Sequence, residues 1–156
     1  MTISARSKIM RMEDYSMNTQ IVRNWMTPHP ITITPQTTLP EAKQMMVDYH
    51  LRRLPVLNKD KLVGMVTWRD INRAESSTGT ILNVYEFQFR RARLTAREFM
   101  STALVTISPD ATIEEAAGLM IQHKFSGLPV VEDGKMVGLI TETDICIFVM
   151  QLEAFA

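Results

Sequence analysis

The sequence predicts an α/β (α+β) fold in which two β-α-β-β-α repeats pack as a pseudo-twofold pair. A shift of 74 residues places residues 26–71 on residues 100–145 without a gap, and 17 of the 46 aligned positions are identical. Within each copy, short apolar runs bounded by proline and polar turns alternate with stretches of helical period. One copy of about 50 residues would be marginally stable alone, so we expect the two copies to share a buried interface.

Each repeat is predicted to open with a short helix and a strand. These cover residues 22–26 and 31–33 in the first copy, and residues 96–100 and 105–107 in the second. Pro35 and Pro109 follow the two strands. We expect the strands to end there, because proline has no N–H group to donate to a ladder.

A longer amphipathic helix follows in each copy. Thr38 with Glu41, and Thr112 with Glu115, have the spacing of a capping box, which satisfies free N–H groups at a helix start. Apolar residues then recur at intervals of three and four, as one buried helix face requires. The members of this face are Leu39, Ala42, Met45, Met46 and Tyr49 in the first copy, and Ile113, Ala116, Ala117, Met120 and Ile121 in the second.

The second half of each repeat is predicted to be a hairpin and a final helix. The hairpin strands cover residues 54–57 and 62–67 in the first copy, and residues 128–131 and 136–141 in the second. Polar turn residues separate the two strands of each hairpin. The last helix begins at Trp68 in the first copy and at Glu142 in the second.

The repeats divide the chain into five segments. These are an N-terminal tail at 1–20, the first repeat at 21–74, a linker at 75–93, the second repeat at 94–151 and a C-terminal tail at 152–156. The linker is predicted to be helical from Ile81 to Arg93, with Leu82, Tyr85 and Phe89 on one side. A basic cluster of Arg90, Arg91, Arg93 and Arg97 is a solvated face, a partner of nearby acids or an anion-binding patch.

Composition narrows the class of protein. Basic and acidic residues number 17 each, which argues against a general nucleic-acid binder. No apolar run approaches the ~18–20 residues of a membrane span, and no apolar stretch marks a secretory signal. The single Cys146 excludes an intrachain disulfide, and its isoleucine neighbours predict a buried thiol. We therefore expect a cytoplasmic protein that does not associate with membranes.

One short motif, Gly-x-x-Thr-x-x-Asp, occurs in both copies. It spans the end of a predicted strand and the start of the helix that follows. It supplies Thr67 and Asp70 in the first copy, and Thr141 and Asp144 in the second. A helix N-terminus in this position favours a phosphate or a sugar diol. A carboxylate can accept from both hydroxyls of a ribose, and a threonine hydroxyl can donate to a phosphate oxygen. The same spacing also makes capping boxes that need no ligand, so both interpretations stay open.

The doubled Leu-Pro-Val … Gly-x-x-Thr-x-x-Asp pattern resembles the cystathionine-β-synthase (CBS) domain in tandem, an arrangement called a Bateman module. The resemblance covers residues 20–151. A stand-alone pair with an aromatic and basic linker is also similar, more loosely, to small CBS proteins related to acetoin-utilisation regulators. The resemblance implies clefts between the copies that bind adenosine compounds: AMP, ADP, ATP or S-adenosylmethionine. It also implies homodimers, no required cofactor, and regulation of an attached or partner protein in place of catalysis.

The resemblance assigns roles to residues of the first copy. Thr67 and Asp70 lie where the family contacts ribose and phosphate. Arg52 and Arg53 lie where its basic residues reach the phosphates, and the planar guanidinium suits phosphate oxygens. The alternative is that the two arginines are solvated, or that they form an ion pair with Asp48 or Asp60.

The second copy differs at this point, because Ser126 and Gly127 replace the two arginines. A phosphorylated ligand is therefore expected to bind there less well, although a small residue would let an adenine ring approach the backbone. In related pairs the base packs on the other copy's first strand. That places Ile107 and Ser108 at the Asp70 site, and Ile33 and Thr34 at the Asp144 site. Core packing is the alternative for both isoleucines.

Two hypotheses follow. The first is a regulatory module that senses an adenosine compound between the repeats. The second is a structural dimerisation or protein-interaction module whose ligand sites are vestigial. The three histidines, His29, His50 and His123, are scattered, and no metal-ligand or nucleophile-base spacing is present, so we expect no enzyme and no metal. The regulated protein is not identified by the sequence.

Overall fold

The computed structural model describes residues 20–76 and 84–153. Residues 1–19 of the predicted N-terminal tail lie outside this part. So do residues 77–83 of the predicted linker, with Ile81 and Leu82 among them, and residues 154–156.

Both repeats contain a long helix, an antiparallel hairpin and a second helix. The first half of the chain comprises a 3-10 helix (Val22–Asn24), β1 (Thr27–Pro28), α1 (Leu39–Asp48), β2 (Arg53–Asn58), β3 (Lys61–Thr67) and α2 (Trp68–Ser76). The second half comprises α3 (Val84–Arg93), α4 (Ala96–Phe99), α5 (Ile113–His123), β4 (Gly127–Glu132), β5 (Lys135–Thr141) and α6 (Glu142–Glu153). The predicted α/β (α+β) class is confirmed.

The two hairpins are built alike. Arg53 pairs with Thr67 where β2 meets β3, and Gly127 pairs with Thr141 where β4 meets β5. Each hairpin carries a register shift at the same place, after Val56 in the first copy and after Val130 in the second. The duplication therefore preserves even the irregularity of the sheet.

Each repeat has its own apolar core. The first is formed by Ile33, Leu39, Ala42, Met46, Leu54, Val56, Val66, Ile71, Ala74 and Ala96. The second is formed by Val22, Ile107, Ile113, Ala116, Met120, Leu128, Val130 and Ile140. The repeats meet where β3 packs against β5. This is the arrangement expected of a pseudo-twofold pair.

The predicted first strands do not form regular ladders. Ile33 makes a single parallel bridge to Val56, and Ile107 makes the equivalent bridge to Val130. Prolines border both segments, since Pro30 and Pro35 flank the first and Pro109 follows the second. A residue without an N–H group cannot extend a ladder, so each pairing is confined to the neighbourhood of one isoleucine.

The segments that open the two repeats, with the short helices predicted at residues 22–26 and 96–100, are called the lead-in segments here. Each packs on the opposite repeat, which the sequence did not predict. β1 pairs with β5 of the second repeat, and Val22 lies in the second core. In return, Ser101 bridges to Met65 of the first repeat, and Ala96 lies in the first core. Each core is thus completed by the segment that precedes the other repeat in the chain.

Two glycines make this exchange sterically possible. A Cβ on Gly64 of β3 would lie 2.3 Å from the sulfur of Met100, and one on Gly138 of β5 would lie 2.4 Å from the sulfur of Met26. Met26 and Met100 are the equivalent residues of the two lead-in segments. Their side chains fill the space that a larger residue on either strand would occupy.

Helix α3 lies beside α1 and presents several aromatic side chains to solvent. Tyr85 is 83% exposed and Phe89 is 63% exposed. The guanidinium of Arg93 stacks over the Phe89 ring at 4.4 Å from its centroid, and Arg91 lies 6.0 Å from the centroid of Phe87. Part of the arginine cluster therefore covers aromatic rings.

The expectation of a buried thiol is wrong, because Cys146 is exposed. Its neighbour Ile145 packs on the second core. Successive residues of a helix point about 100° apart, so the residue after a core-facing one need not face the core. None of the described helices has the length and apolar character needed to cross a bilayer.

Candidate functional site

Asp70 lies at the start of α2, directly after β3. Its Oδ2 accepts hydrogen bonds from the Thr67 backbone N–H at 2.8 Å and from the Thr67 hydroxyl at 2.7 Å. The Asp70 N–H is in turn 3.3 Å from the Thr67 hydroxyl oxygen. The predicted capping box is present, and it holds the carboxylate in one orientation.

Asp70 is the one charged side chain that is buried among the described residues, with 6% of its surface exposed. Its Oδ1 accepts from Arg73 Nη2 at 2.6 Å, on the next turn of α2. The Arg73 side chain is itself 69% exposed. Since a carboxylate oxygen has two lone pairs, Oδ1 retains capacity to accept from a ligand hydroxyl.

Asp70 opens into a groove between the repeats with a volume of about 460 Å³. This is within the range of small-molecule sites. The first repeat contributes Arg52, Arg53, Met65, Thr67, Trp68, Arg69, Asp70 and Arg73. The second contributes Ser101, Ala103, Leu104, Val105, Lys124, Phe125, Ser126, Gly127 and Pro129. A ligand here would contact both halves of the molecule.

The charged lining of the groove is almost entirely basic. Five cationic side chains surround one acid, and they are Arg52, Arg53, Arg69, Arg73 and Lys124. Arg73 pairs with Asp70. In the part of the chain that the structure describes, Arg52, Arg69 and Lys124 make no salt bridge. The groove is therefore an electropositive concavity that favours an anion.

Arg53 crosses from the first repeat to the second. Its Nη1 donates to the Ser126 carbonyl oxygen at 2.6 Å and its Nη2 contacts the Ser126 hydroxyl at 2.5 Å. The pKa of the Arg53 guanidinium is lowered, chiefly by burial and also by Arg52, while Glu142 and Asp144 oppose this. The guanidinium remains charged, because arginine does not deprotonate in proteins.

The space expected to admit an adenine ring at Gly127 is filled. A Cβ on Gly127 would lie 1.8 Å from Arg53 Nη1, so the guanidinium occupies the place that the missing side chain leaves. Nor does Arg53 pair with a nearby acid, as the alternative interpretation suggested. Its hydrogen-bond partners are the backbone and hydroxyl of Ser126.

The structure brings Thr67, Asp70, Arg52, Arg53 and Ser126 together in the groove. Ile107 and Ser108 do not line it. Ile107 lies in the second core, where its N–H donates to the Pro129 carbonyl at 3.0 Å, and the Ser108 hydroxyl accepts from the Asp110 N–H.

The groove is lined instead by the preceding part of the same segment, through Ser101, Ala103, Leu104 and Val105. This follows from the two anchors of the segment, since Ser101 pairs with Met65 and Ile107 pairs with Val130. The chain between these anchors passes over the groove, whereas Ile107 has already entered the core. The residues of this segment that line the groove therefore precede Ile107 and Ser108 in the chain.

The residues predicted around Asp144 are more dispersed. Asp144 Oδ2 accepts from the Thr141 N–H at 2.7 Å and hydroxyl at 2.8 Å, as Asp70 Oδ2 accepts from Thr67 in the first copy. Ile33 lies in the first core, and Thr34 donates its N–H to the Thr37 hydroxyl. No hydrogen bond between described residues joins either of them to Thr141 or Asp144.

Sequence reasoning missed several groove residues, above all Arg69, Arg73 and Lys124. Comparing the charges of the two copies position by position would have indicated them, because each of the three has a non-basic or weakly basic counterpart. Trp68 and Phe125 were also missed. They carry no spacing signal, and only the fold places them at the groove. Among the described residues, no three His, Cys, Asp or Glu side chains gather as a metal site would require.

Fold and groove together define a class, a duplicated module with an electropositive groove between its two repeats. Residues 22–77 and 96–150 match the family model described as the CBS domain. CBS domain-containing protein YhcV of Bacillus subtilis (strain 168) is 31% identical over 133 residues, which cover 85% of this chain and 88% of YhcV. The chain belongs to the CBS domain family.

Solved structures show the same architecture. A Vibrio cholerae structure described as an acetoin utilization protein (AcuB) superimposes with a TM-score of 0.73 at 31% identity, covering 87% of this chain and 96% of that one. The CBS domain pair of protein MJ0100, solved with 5′-methylthioadenosine and S-adenosyl-L-methionine, gives a TM-score of 0.68 at 26% identity. It covers 83% of this chain and 95% of that chain.

Proposed function

We propose that this protein is a regulatory module that senses an adenosine compound, AMP, ADP, ATP or S-adenosylmethionine, in the groove between its repeats. The observation that carries the proposal is the buried Asp70 carboxylate, fixed at a helix N-terminus in a groove whose other charges are all basic. A ribose diol and a phosphate need these two features side by side. The complex of the MJ0100 pair with two adenosine compounds supports the class of ligand.

The residues have distinct roles in this proposal. Asp70 Oδ1 accepts from the ribose hydroxyls, while Oδ2 stays on Thr67. Arg52 is exposed and binds phosphate through its guanidinium. Binding favours one relative arrangement of the repeats, since the groove has a wall from each.

A second, weaker site at Asp144 stays part of the proposal as the sequence predicted it, with Thr141, Ser126, Ile33 and Thr34. The pair of anchoring hydrogen bonds to Asp144 supports it. The position of the Arg53 guanidinium on Ser126 works against an adenine ring there.

We infer that the module regulates a protein partner and catalyses nothing, needs no cofactor, and acts in the cytoplasm, where adenine nucleotides are available to it. We also infer that it forms a homodimer. Exposed apolar side chains on α5 and α6 support this, among them Ile121 at 79% and Met150 at 70%. Large apolar side chains left exposed on a surface are candidates for protein contacts.

Calorimetric titration of the full chain with AMP, ADP, ATP and S-adenosylmethionine tests the ligand assignment. We expect Asp70→Asn to weaken binding of the best ligand about tenfold, because the charged acceptor for the diol is lost. Glu115→Gln is the matched control, since it neutralises the equivalent box residue of α5, outside the groove. Equal affinity of wild type and Asp70→Asn would remove Asp70 from the site.

A structural interaction module is the second candidate. The observation in its favour is that one carboxylate oxygen of each Thr-Asp pair accepts two hydrogen bonds from its threonine, so that no ligand is needed to hold either carboxylate. A ligand specific for the folded state raises the melting temperature. A melting temperature that stays constant with every adenosine compound at millimolar concentration would favour this candidate over the sensor.

A further inference from the structure

Five cationic side chains line one groove, where they repel one another. They come from three places: the start of β2, the first two turns of α2, and the C-terminal end of α5. The chain as a whole is neutral, with 17 basic and 17 acidic residues, so this concentration is local. Like charges gathered in a concavity are unfavourable unless an anion compensates them.

Residues of the chain itself neutralise little of the positive charge in the groove. Arg73 is neutralised by Asp70, and Arg53 is bound to the uncharged Ser126. The remaining three are exposed and make no ion pair within the described part of the chain; they are Arg52, Arg69 and Lys124. These three cationic side chains are therefore available to bind an anionic ligand.

The duplication shows that the fold does not require these cations. The equivalent positions of the other repeat are Ser126 for Arg52, Gly127 for Arg53, Thr143 for Arg69, Ile147 for Arg73 and His50 for Lys124. The Thr-Asp box, in contrast, is kept in both repeats with nearly the same hydrogen bonds. The box is common architecture, and the basic residues are specific to one groove.

Lys124 shows the difference most directly. It ends α5 in the left-handed conformation with φ 55°, and its counterpart His50 has φ 54°. The backbone at this helix end is therefore shared, and only the side chain differs. In the second repeat that side chain is a lysine that lines the same groove as the arginines of the first repeat.

We propose that the Asp70 groove is a polyphosphate site with one ligand per chain, which selects a nucleoside diphosphate or triphosphate over a monophosphate and over S-adenosylmethionine. This inference rests on the proposed function and narrows its ligand. A single phosphate ester carries about 1.5 to 2 negative charges and would leave part of the groove uncompensated. The sulfonium of S-adenosylmethionine is a cation and would be repelled.

Arg69 and Lys124 bind the outer phosphates in this proposal, and Arg52 binds the phosphate nearest the ribose. The outer pair spans the two repeats, because Arg69 belongs to α2 and Lys124 to the end of α5. A ligand with only one phosphate reaches Arg52 without engaging that pair. Selection by phosphate number follows from this division.

Calorimetry with ATP, ADP, AMP, adenosine and S-adenosylmethionine on the full chain tests the inference. We expect ATP to bind at least about tenfold more tightly than AMP, with one tight ATP site per chain. Lys124→Ala and Arg69→Ala each weaken ATP about tenfold and AMP less than about twofold. Both side chains are exposed, so neither variant is expected to impair folding.

The other repeat supplies matched controls. His50→Ala and Thr143→Ala change the equivalent positions outside the groove and are expected to leave ATP affinity unchanged. The polyphosphate inference would be overturned if ATP and AMP bound with equal affinity, or if Lys124→Ala left ATP binding unchanged. Tighter binding of S-adenosylmethionine than of ATP, or two equal ATP sites, would overturn it as well. Each of these results would leave the sensor proposal standing. Failure of every adenosine compound to bind would remove both.

Discussion

Single side chains decide how the two copies differ at their boundary. Arg53 and Gly127 are equivalent positions in the duplication, and the arginine fills the space above the glycine. Two arginines would compete for this space and repel each other, whereas two glycines would remove the guanidinium donors from Ser126 and leave its carbonyl with the Glu142 N–H alone. The sequence shows the substitution but not its reason, because the contact joins residues 73 apart and is set by the packing of the repeats.

Gly127→Ala tests this steric relation. The new Cβ displaces the Arg53 guanidinium from Ser126, and we expect a loss of about 1 to 2 kcal/mol in the free energy of unfolding. Urea denaturation measures the change. In an Arg53→Ala background the same Gly127→Ala substitution is expected to cost less than about 0.5 kcal/mol, since nothing remains to be displaced. An equal cost in both backgrounds would show that Arg53 is not the obstacle.

Helix starts are the part of the structure that sequence spacing predicts best. Thr38 and Glu41, and likewise Thr112 and Glu115, form the capping boxes expected of them. The signal is reliable because both partners lie within one turn and their geometry does not depend on the rest of the fold. The box of α4, formed by Thr95 and Glu98, was missed although it has the same spacing.

The box of α4 has a pH dependence that follows from its hydrogen bonds. The Thr95 N–H, and then the Thr95 hydroxyl, donate to Glu98 and lower its pKa below the ordinary value of 4.5. The ionised carboxylate therefore stabilises the folded state fully above pH 4.5, and this contribution is lost as the pH falls through the folded pKa. Wild type is expected to be more stable than Glu98→Gln at neutral pH, and the difference should vanish in acid.

Urea midpoints from pH 7 down to about pH 3.5 measure this difference. Glu114→Gln serves as the control, since Glu114 lies in the first turn of α5 but makes no hydrogen bond to the N-cap among the described residues. A gap between wild type and Glu98→Gln that stays constant over this range would show that the Glu98 charge is not what stabilises α4.

At the scale of the molecule, the repeat signal predicted the architecture but not its connections. The apolar period and the capping spacings are local, so they located the helices and hairpins. The exchange of lead-in segments is not local. Val22 and Ala96 each complete a core built by residues far along the chain, and no periodicity reports which core that is. For the same reason, the wall of the groove formed by Ser101, Ala103, Leu104 and Val105 was not predicted.

The surface of α6 bears on the assembly of the whole molecule. Ile147 is 43% exposed and Met150 is 70% exposed, and their spacing of three residues places them on one face of the helix. If a second copy covers this face, wild type sediments at twice the chain mass, and Ile147→Asp or Met150→Asp weakens the dimer at least about tenfold, because a buried, unpaired carboxylate is costly. Val84→Asp, at a residue of α3 that is 67% exposed, should leave the mass unchanged. A monomeric wild type at micromolar concentration would refute the dimer and leave the groove as the functional feature of a single chain.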